Sequence, residues 1–76
     1  MKYIGVDLNT TQLTICYRDE SGNEELETVK IENIDKFLKQ INTTDKVAFE
    51  ATGNSLYLQN MLQTVLTLEN IYVVNT

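Results

Sequence analysis

The sequence has no histidine and no proline, a single cysteine, and only 6 basic residues against 11 acidic ones in 76 positions. One thiol, Cys16, makes no internal disulfide, and without an imidazole it cannot complete a common zinc site. A disulfide scaffold and a zinc finger are therefore both excluded. The formal net charge of −5 is the wrong sign for wrapping phosphates through bulk electrostatics, which needs clustered Lys and Arg to displace counterions. Action on nucleic acid then requires basic surface from elsewhere, or a metal that bridges like charges. No apolar run approaches the roughly 20 residues that span a bilayer, and Met1-Lys2 leads into a strand-like run instead of a signal peptide. The expectation is a soluble, cytoplasmic protein with no membrane partner.

At 42% hydrophobic residues the chain has enough apolar surface for one small domain spanning 1–76. Ordering that many residues costs on the order of 100 kcal/mol, so the margin of stability is thin. From Lys2 to Leu8 the pattern alternates, with Ile4, Val6 and Leu8 facing one way and Tyr3, Gly5 and Asp7 the other. After the polar break Asn9-Thr10, Leu13, Ile15 and Tyr17 alternate with Thr14, Cys16 and Arg18, which reads as the second arm of a hairpin. Asp19 to Asn23 is a dense turn signal, and Glu25 to Ile31 follows as a charge-rich strand suited to a sheet edge.

The period then changes. Ile34, Phe37, Leu38 and Ile41 take helical spacing behind Asn33 as an N-cap, predicting a helix over 34–42. Lys46 to Glu50 is a short buried-type strand ending in a carboxylate. Gly53-Asn54-Ser55 opens a second helix with a stripe of Leu58, Met61, Leu62, Val65 and Leu66, and Ile71 to Val74 is a fifth strand. The large aromatics Tyr3, Tyr17, Phe49 and Tyr72 are assigned to the core by default.

The order β-β-β-α-β-α-β, joined by right-handed crossovers, predicts a mixed α/β sheet with strand order 3-2-1-4-5. Strands one and four are then adjacent and parallel, and their C-terminal ends share the edge where open α/β sheets place their chemistry. Asp7 and Glu50 sit at those ends, each two positions after a small residue, Gly5 or Ala48. At a strand spacing of about 4.8 Å two bare carboxylates repel, and a divalent cation relieves that conflict. Mg²⁺ is commonly held by one or two carboxylates plus substrate phosphate, which makes the pair a phosphoryl-transfer half-site. Against this stands the ordinary reading of each acid as a solvated turn residue. Asp45 is a poor third ligand, about 16 Å from Glu50 along the strand. Asp35 is better explained by the charge preference of a helix N-terminus. Thr52, Gly53 and Asn54, leading into the second helix, form a possible phosphate-binding turn, with a plain βα turn as the alternative.

The runs Tyr3-Ile4-Gly5-Val6-Asp7-Leu8, Val47-Ala48-Phe49-Glu50-Ala51-Thr52-Gly53 and Ile71-Tyr72-Val73-Val74-Asn75 together resemble the N-terminal domain of the DEDD-type insertion-sequence transposases. This is the insertion sequence 110 group, which includes the pilin-inverting site-specific recombinases. The specific part is the Glu-Ala-Thr-Gly run after a first strand of hydrophobic-Gly-hydrophobic-Asp form. The resemblance implies a ribonuclease H-like fold of the Holliday-resolvase type, in which four acids bind Mg²⁺ or Mn²⁺ and cleave DNA. Asp7 matches the first acid and Glu50 the second. The third and fourth, two Asp residues beyond strand five, have no counterpart before Thr76, nor does the family's later Ser-containing, basic region. The fold is thus expected to be truncated after strand five, inert alone and prone to self-association, with DNA, and in the intact protein a possible guide RNA, as partners. Two other classes remain open. One is a fragment of an actin-like ATPase or sugar kinase, although Asn9-Thr10-Thr11 lacks that superfold's glycine-rich phosphate loop; the other is a non-catalytic acidic interaction module.

Overall fold

Strict alternation of apolar and polar residues makes strands with one buried face, and the structure, a computed structural model describing residues 1–52 and 55–74, places them as that pattern requires. The strands are β1 (Tyr3–Leu8), β2 (Gln12–Arg18), β3 (Glu24–Lys30), β4 (Lys46–Glu50) and β5 (Ile71–Val74), with helices α1 (Ile34–Lys39) and α2 (Ser55–Leu62). Single 3-10 turns occupy Ile31–Asn33 and Leu68–Asn70. The fold is mixed α/β, and its one five-stranded sheet has the order β3-β2-β1-β4-β5. Antiparallel pairing joins β1 to β2 and β2 to β3, whereas β1–β4 and β4–β5 are parallel.

Side-chain turns set the hairpins. Asn9 Oδ1 accepts from the backbone N–H groups of Thr11 (3.0 Å) and Gln12 (2.8 Å), closing the β1–β2 connection. Asp19 Oδ1 does the same for Ser21 (2.9 Å) and Asn23 (3.0 Å) between β2 and β3, where Gly22 supplies the positive φ of 88°. Four backbone donors that a tight turn would leave unpaired are thereby satisfied.

Ile4, Val6, Leu13, Ile15, Val29, Val47, Phe49 and Ile71 all point to one face of the sheet. There they form a single core with Ile34, Phe37 and Ile41 around α1 and Leu58, Leu62 and Leu66 around α2. Both crossovers move in the same direction across the sheet, β3 to β4 and β4 to β5. A shared hand of crossover then stacks both helices on one face, and the opposite face carries no layer among the described residues.

Three details differ from the sequence-based expectation. Helix α1 ends at Lys39, not Asn42, because the Asn42 N–H donates to the buried Asp45 carboxylate (2.9 Å) instead of continuing the helix; Asn33 makes no side-chain cap. Helix α2 stops at Leu62, yet the turn that follows still delivers Leu66 to the core. Tyr3 and Tyr72, expected inside, lie on the uncovered face and are nearly half exposed, while Phe49 is buried and Tyr17 packs edge-on to Phe37 with ring centroids 6.4 Å apart.

Candidate metal centre

Two central parallel strands bring the site together. Gly5 pairs with Ala48 and Val6 with Phe49, so the same register carried one residue further sets Asp7 level with Glu50. Both acids follow their small partners by two positions and therefore share the uncovered face. Their backbones are one strand spacing apart, about 4.8 Å, and both side chains are exposed. They line one shallow concavity of about 540 Å³, whose floor includes Gly5, Cys16 and Ala48 and whose wall includes Thr14 and Val74. A methyl group built onto Gly5 meets nothing within 4 Å, so the sheet surface beside the acids is open to an approaching molecule.

Thr14 is the neighbour that sequence reasoning missed. It pairs with Asp7 across the hairpin and offers a hydroxyl beside that carboxylate. The signal was present in the chain: a tight turn closed by Asn9 fixes which β2 residue faces Asp7. Cys16 lies one row away. Its thiol is held above the ordinary cysteine range by partial desolvation, then by its 3.4 Å hydrogen bond to Glu24 Oε2 and that carboxylate's charge.

The other candidate acids do not join the pair. Asp35 is exposed on α1, on the helix-covered side of the sheet. Asp45 is fully buried at the opposite end of β4, where Oδ1 accepts from the Lys2 N–H (2.8 Å), Oδ2 accepts from the Asn42 N–H (2.9 Å) and the Lys2 ammonium lies 3.5 Å away. Its oxygens are consumed by the fold. Among the described residues no group of three or more His, Cys, Asp or Glu side chains is arranged to hold a metal ion.

Of the expected phosphate-binding turn, Gly53 and Asn54 lie outside the described residues. Thr52 is exposed, and its carbonyl accepts both the N–H (3.1 Å) and the hydroxyl (2.8 Å) of Ser55, the first residue of α2. That donor pair is therefore committed to the turn and not presented to an anion.

The chemistry available at the rim is thus two hard-oxygen, anionic ligands side by side, with a hydroxyl next to them and small residues beneath. Such a set suits a divalent cation that keeps some of its waters. Comparison with models of known protein families and with curated proteins returns no match for this chain.

Proposed function

We propose that this chain is the N-terminal part of a ribonuclease H-like domain of a DEDD-type transposase or site-specific recombinase, in which Asp7 and Glu50 provide half of a divalent-cation site for cutting and rejoining DNA. The observation that carries this reading is the convergence of those two acids, from strands far apart in sequence, onto one rim of the sheet face that no helix covers among the described residues. It is supported by the motif resemblance, which aligns the same two residues with the first two acids of the family.

The residues present fit a hard cation. Asp7 and Glu50 are exposed carboxylates on one face, and the absence of side-chain bulk at Gly5 and Ala48 leaves room for a phosphate to reach them. When bound, Mg²⁺ or Mn²⁺ supplies positive charge to the oxygens of a scissile phosphate. Asp7 and Glu50 would hold such an ion, and Thr14, paired with Asp7 across the hairpin, would offer its hydroxyl to the Asp7 carboxylate or to a water. Two carboxylates are a partial ligand set, so the remaining acids come from the region that the resemblance puts beyond β5. With a net charge of −5, binding of the DNA backbone, and of any guide RNA, likewise rests on basic surface outside this chain. The fragment alone is inert in this reading.

Titration of the isotope-labelled chain with Mn²⁺ tests the half-site. The expected result is paramagnetic broadening of amides around Asp7 and Glu50 together, lost in Asp7→Asn and in Glu50→Gln. Broadening centred elsewhere, or unaffected by both substitutions, overturns the site. In the full-length protein, Asp7→Ala or Glu50→Ala is expected to abolish DNA cleavage with the fold retained, and unchanged cleavage would remove the catalytic assignment.

A further inference from the structure

The uncovered sheet face has an order of its own. Reading across the strands, its middle row is Leu26, Cys16, Gly5, Ala48 and Tyr72, an apolar row with small residues at its centre and large ones at both ends. The row toward the start of β1 carries Glu24, Arg18, Tyr3 and Lys46. The row toward its end carries Thr28, Thr14, Asp7, Glu50 and Val74, with Lys30 beyond it on β3. Two bases thus outnumber one acid on one side of an apolar trough, and two acids outnumber one base on the other, with the sharpest contrast on β4 between Lys46 and Glu50. Over all its strand positions it carries three acids, Glu24, Asp7 and Glu50, and three bases, Arg18, Lys30 and Lys46, in a chain whose net charge is −5. The excess negative charge lies off this face.

We infer that this face pairs with the same face of a second copy, about a two-fold axis running along the apolar row. That operation lays the basic row of one copy over the acidic row of the other. Because Lys46 and Glu50 both belong to β4, Lys46 of each copy stands opposite Glu50 of its mate, and Tyr3 stands opposite Asp7 by the same logic on β1. The perpendicular choice, an axis along β1, sets Asp7 against Asp7 and Lys46 near Arg18 of the second copy, so like charge meets like charge. Charge complementarity therefore selects one of the two stackings. Leu26, 76% exposed, and Tyr72, 45% exposed, meet their own counterparts across the row and supply apolar burial.

The size of the surface sets the strength. Five strands spaced about 4.8 Å apart, each about 20 Å long, present roughly 480 Å² per copy, about 960 Å² for the pair, which is below the roughly 1,200 Å² where stable specific complexes begin and in the range of weak, transient ones. The dimer is accordingly weak and concentration-dependent. It does not rest on the proposed metal chemistry, although Lys46 of the second copy and a divalent cation are alternative partners for Glu50.

Sedimentation equilibrium without metal, across micromolar to millimolar chain at low salt, tests the pairing. The wild type is expected to move from monomer to dimer within that range. Lys46→Glu and Glu50→Lys should each weaken association by roughly tenfold or more, because each creates like-charge contacts twice per dimer. The double exchange Lys46→Glu/Glu50→Lys should restore association to within about threefold of wild type, with circular dichroism verifying the fold of all three variants. Cys16 adds a geometric reading: it lies on the axial row, so a short bis-maleimide should join two copies at that residue. A chain that stays monomeric at millimolar concentration overturns the inference. So does association that both single reversals leave unchanged, which would assign it to the open edges of β3 or β5, or a dimer that the reagent fails to link.

Discussion

The backbone N–H of Lys2 donates to Oδ1 of Asp45 at 2.8 Å, and the Lys46 N–H donates back to the Lys2 carbonyl at 3.0 Å, joining two segments 43 positions apart at the foot of the β1–β4 pair. Asp7 and Glu50 are separated by the same 43 positions at the other end of that pair. One buried carboxylate therefore pins the register that sets two exposed carboxylates side by side. The buried acid organises the fold, and the exposed ones are left free for chemistry.

Removing this clamp should be costly. Asp45→Ala leaves the Lys2 and Asn42 N–H groups without their acceptors at a part-buried site, and each such loss costs about 1–3 kcal/mol, toward the lower end where water reaches the donor. The expected destabilisation is about 3 kcal/mol in urea unfolding. Asp45→Asn retains one acceptor oxygen and should lose roughly half as much. A loss below about 1 kcal/mol for the alanine variant would show that the clamp is dispensable.

The exposed pair should behave in the opposite way. Like charges directly opposite on neighbouring strands destabilise a sheet, so Glu50→Gln is expected to stabilise the metal-free monomer by roughly 0.5 kcal/mol. Divalent cation should reverse the ranking. At a concentration of ten times its Kd a ligand that binds only the folded state adds about 1.4 kcal/mol, and the variant forgoes that gain. Thermal unfolding with and without Mg²⁺ or Mn²⁺ should show the two curves exchanging order. Equal responses of both proteins to the ion would exclude Glu50 as a ligand.

Much of this arrangement is legible in the chain because the physics behind it is local. Alternation in 3–8 and 12–18 puts Ile4, Val6, Leu13 and Ile15 on one face, and the stripe Leu58, Leu62, Leu66 finds the same core. Sheet order follows from crossover handedness, and with it the meeting of Asp7 and Glu50. Other features depend on tertiary context that no periodicity records. Asp45 reads as an ordinary polar residue before a strand, and its burial emerges only when Lys2 arrives from the far end of the chain. Helix α1 is cut short by that same carboxylate, which captures the Asn42 N–H. Tyr3 sits at a position that alternation assigns to the second face, but alternation is silent on whether a layer covers that face, and the all-apolar run of β5 assigns no face to Tyr72.

Two glycines should respond oppositely to the same change. Gly22 has φ +88°, a conformation that disfavours any residue with a Cβ, so Gly22→Ala should cost about 1 kcal/mol even though the added methyl meets nothing within 4 Å. Gly5 is in β1 with equal space above it and no positive φ. Gly5→Ala removes the extra chain entropy of glycine in a strand and should stabilise by about 0.5 kcal/mol. Unfolding measurements on both variants distinguish backbone strain from steric filling, since the local space is the same and only the dihedral differs.

The acid limb of stability should trace to the β2–β3 turn. The Asp19 carboxyl is held below its ordinary range chiefly by the N–H of Asn23, with further help from the Asn23 side chain and the N–H groups of Ser21 and Gly22, against a smaller opposing effect of desolvation. The folded state thus favours the ionised form more than the unfolded chain does. Its contribution is fully present above the unfolded carboxyl pKa near 3.9 and fades as pH falls through the lower folded value. Asp19→Asn keeps an oxygen acceptor for the turn but cannot titrate, so the wild-type advantage over this variant should be constant from neutrality to about pH 5 and then shrink toward pH 2. A difference between the two proteins that stays flat over the acid range would show that hydrogen bonding at Asp19 does not depend on its charge.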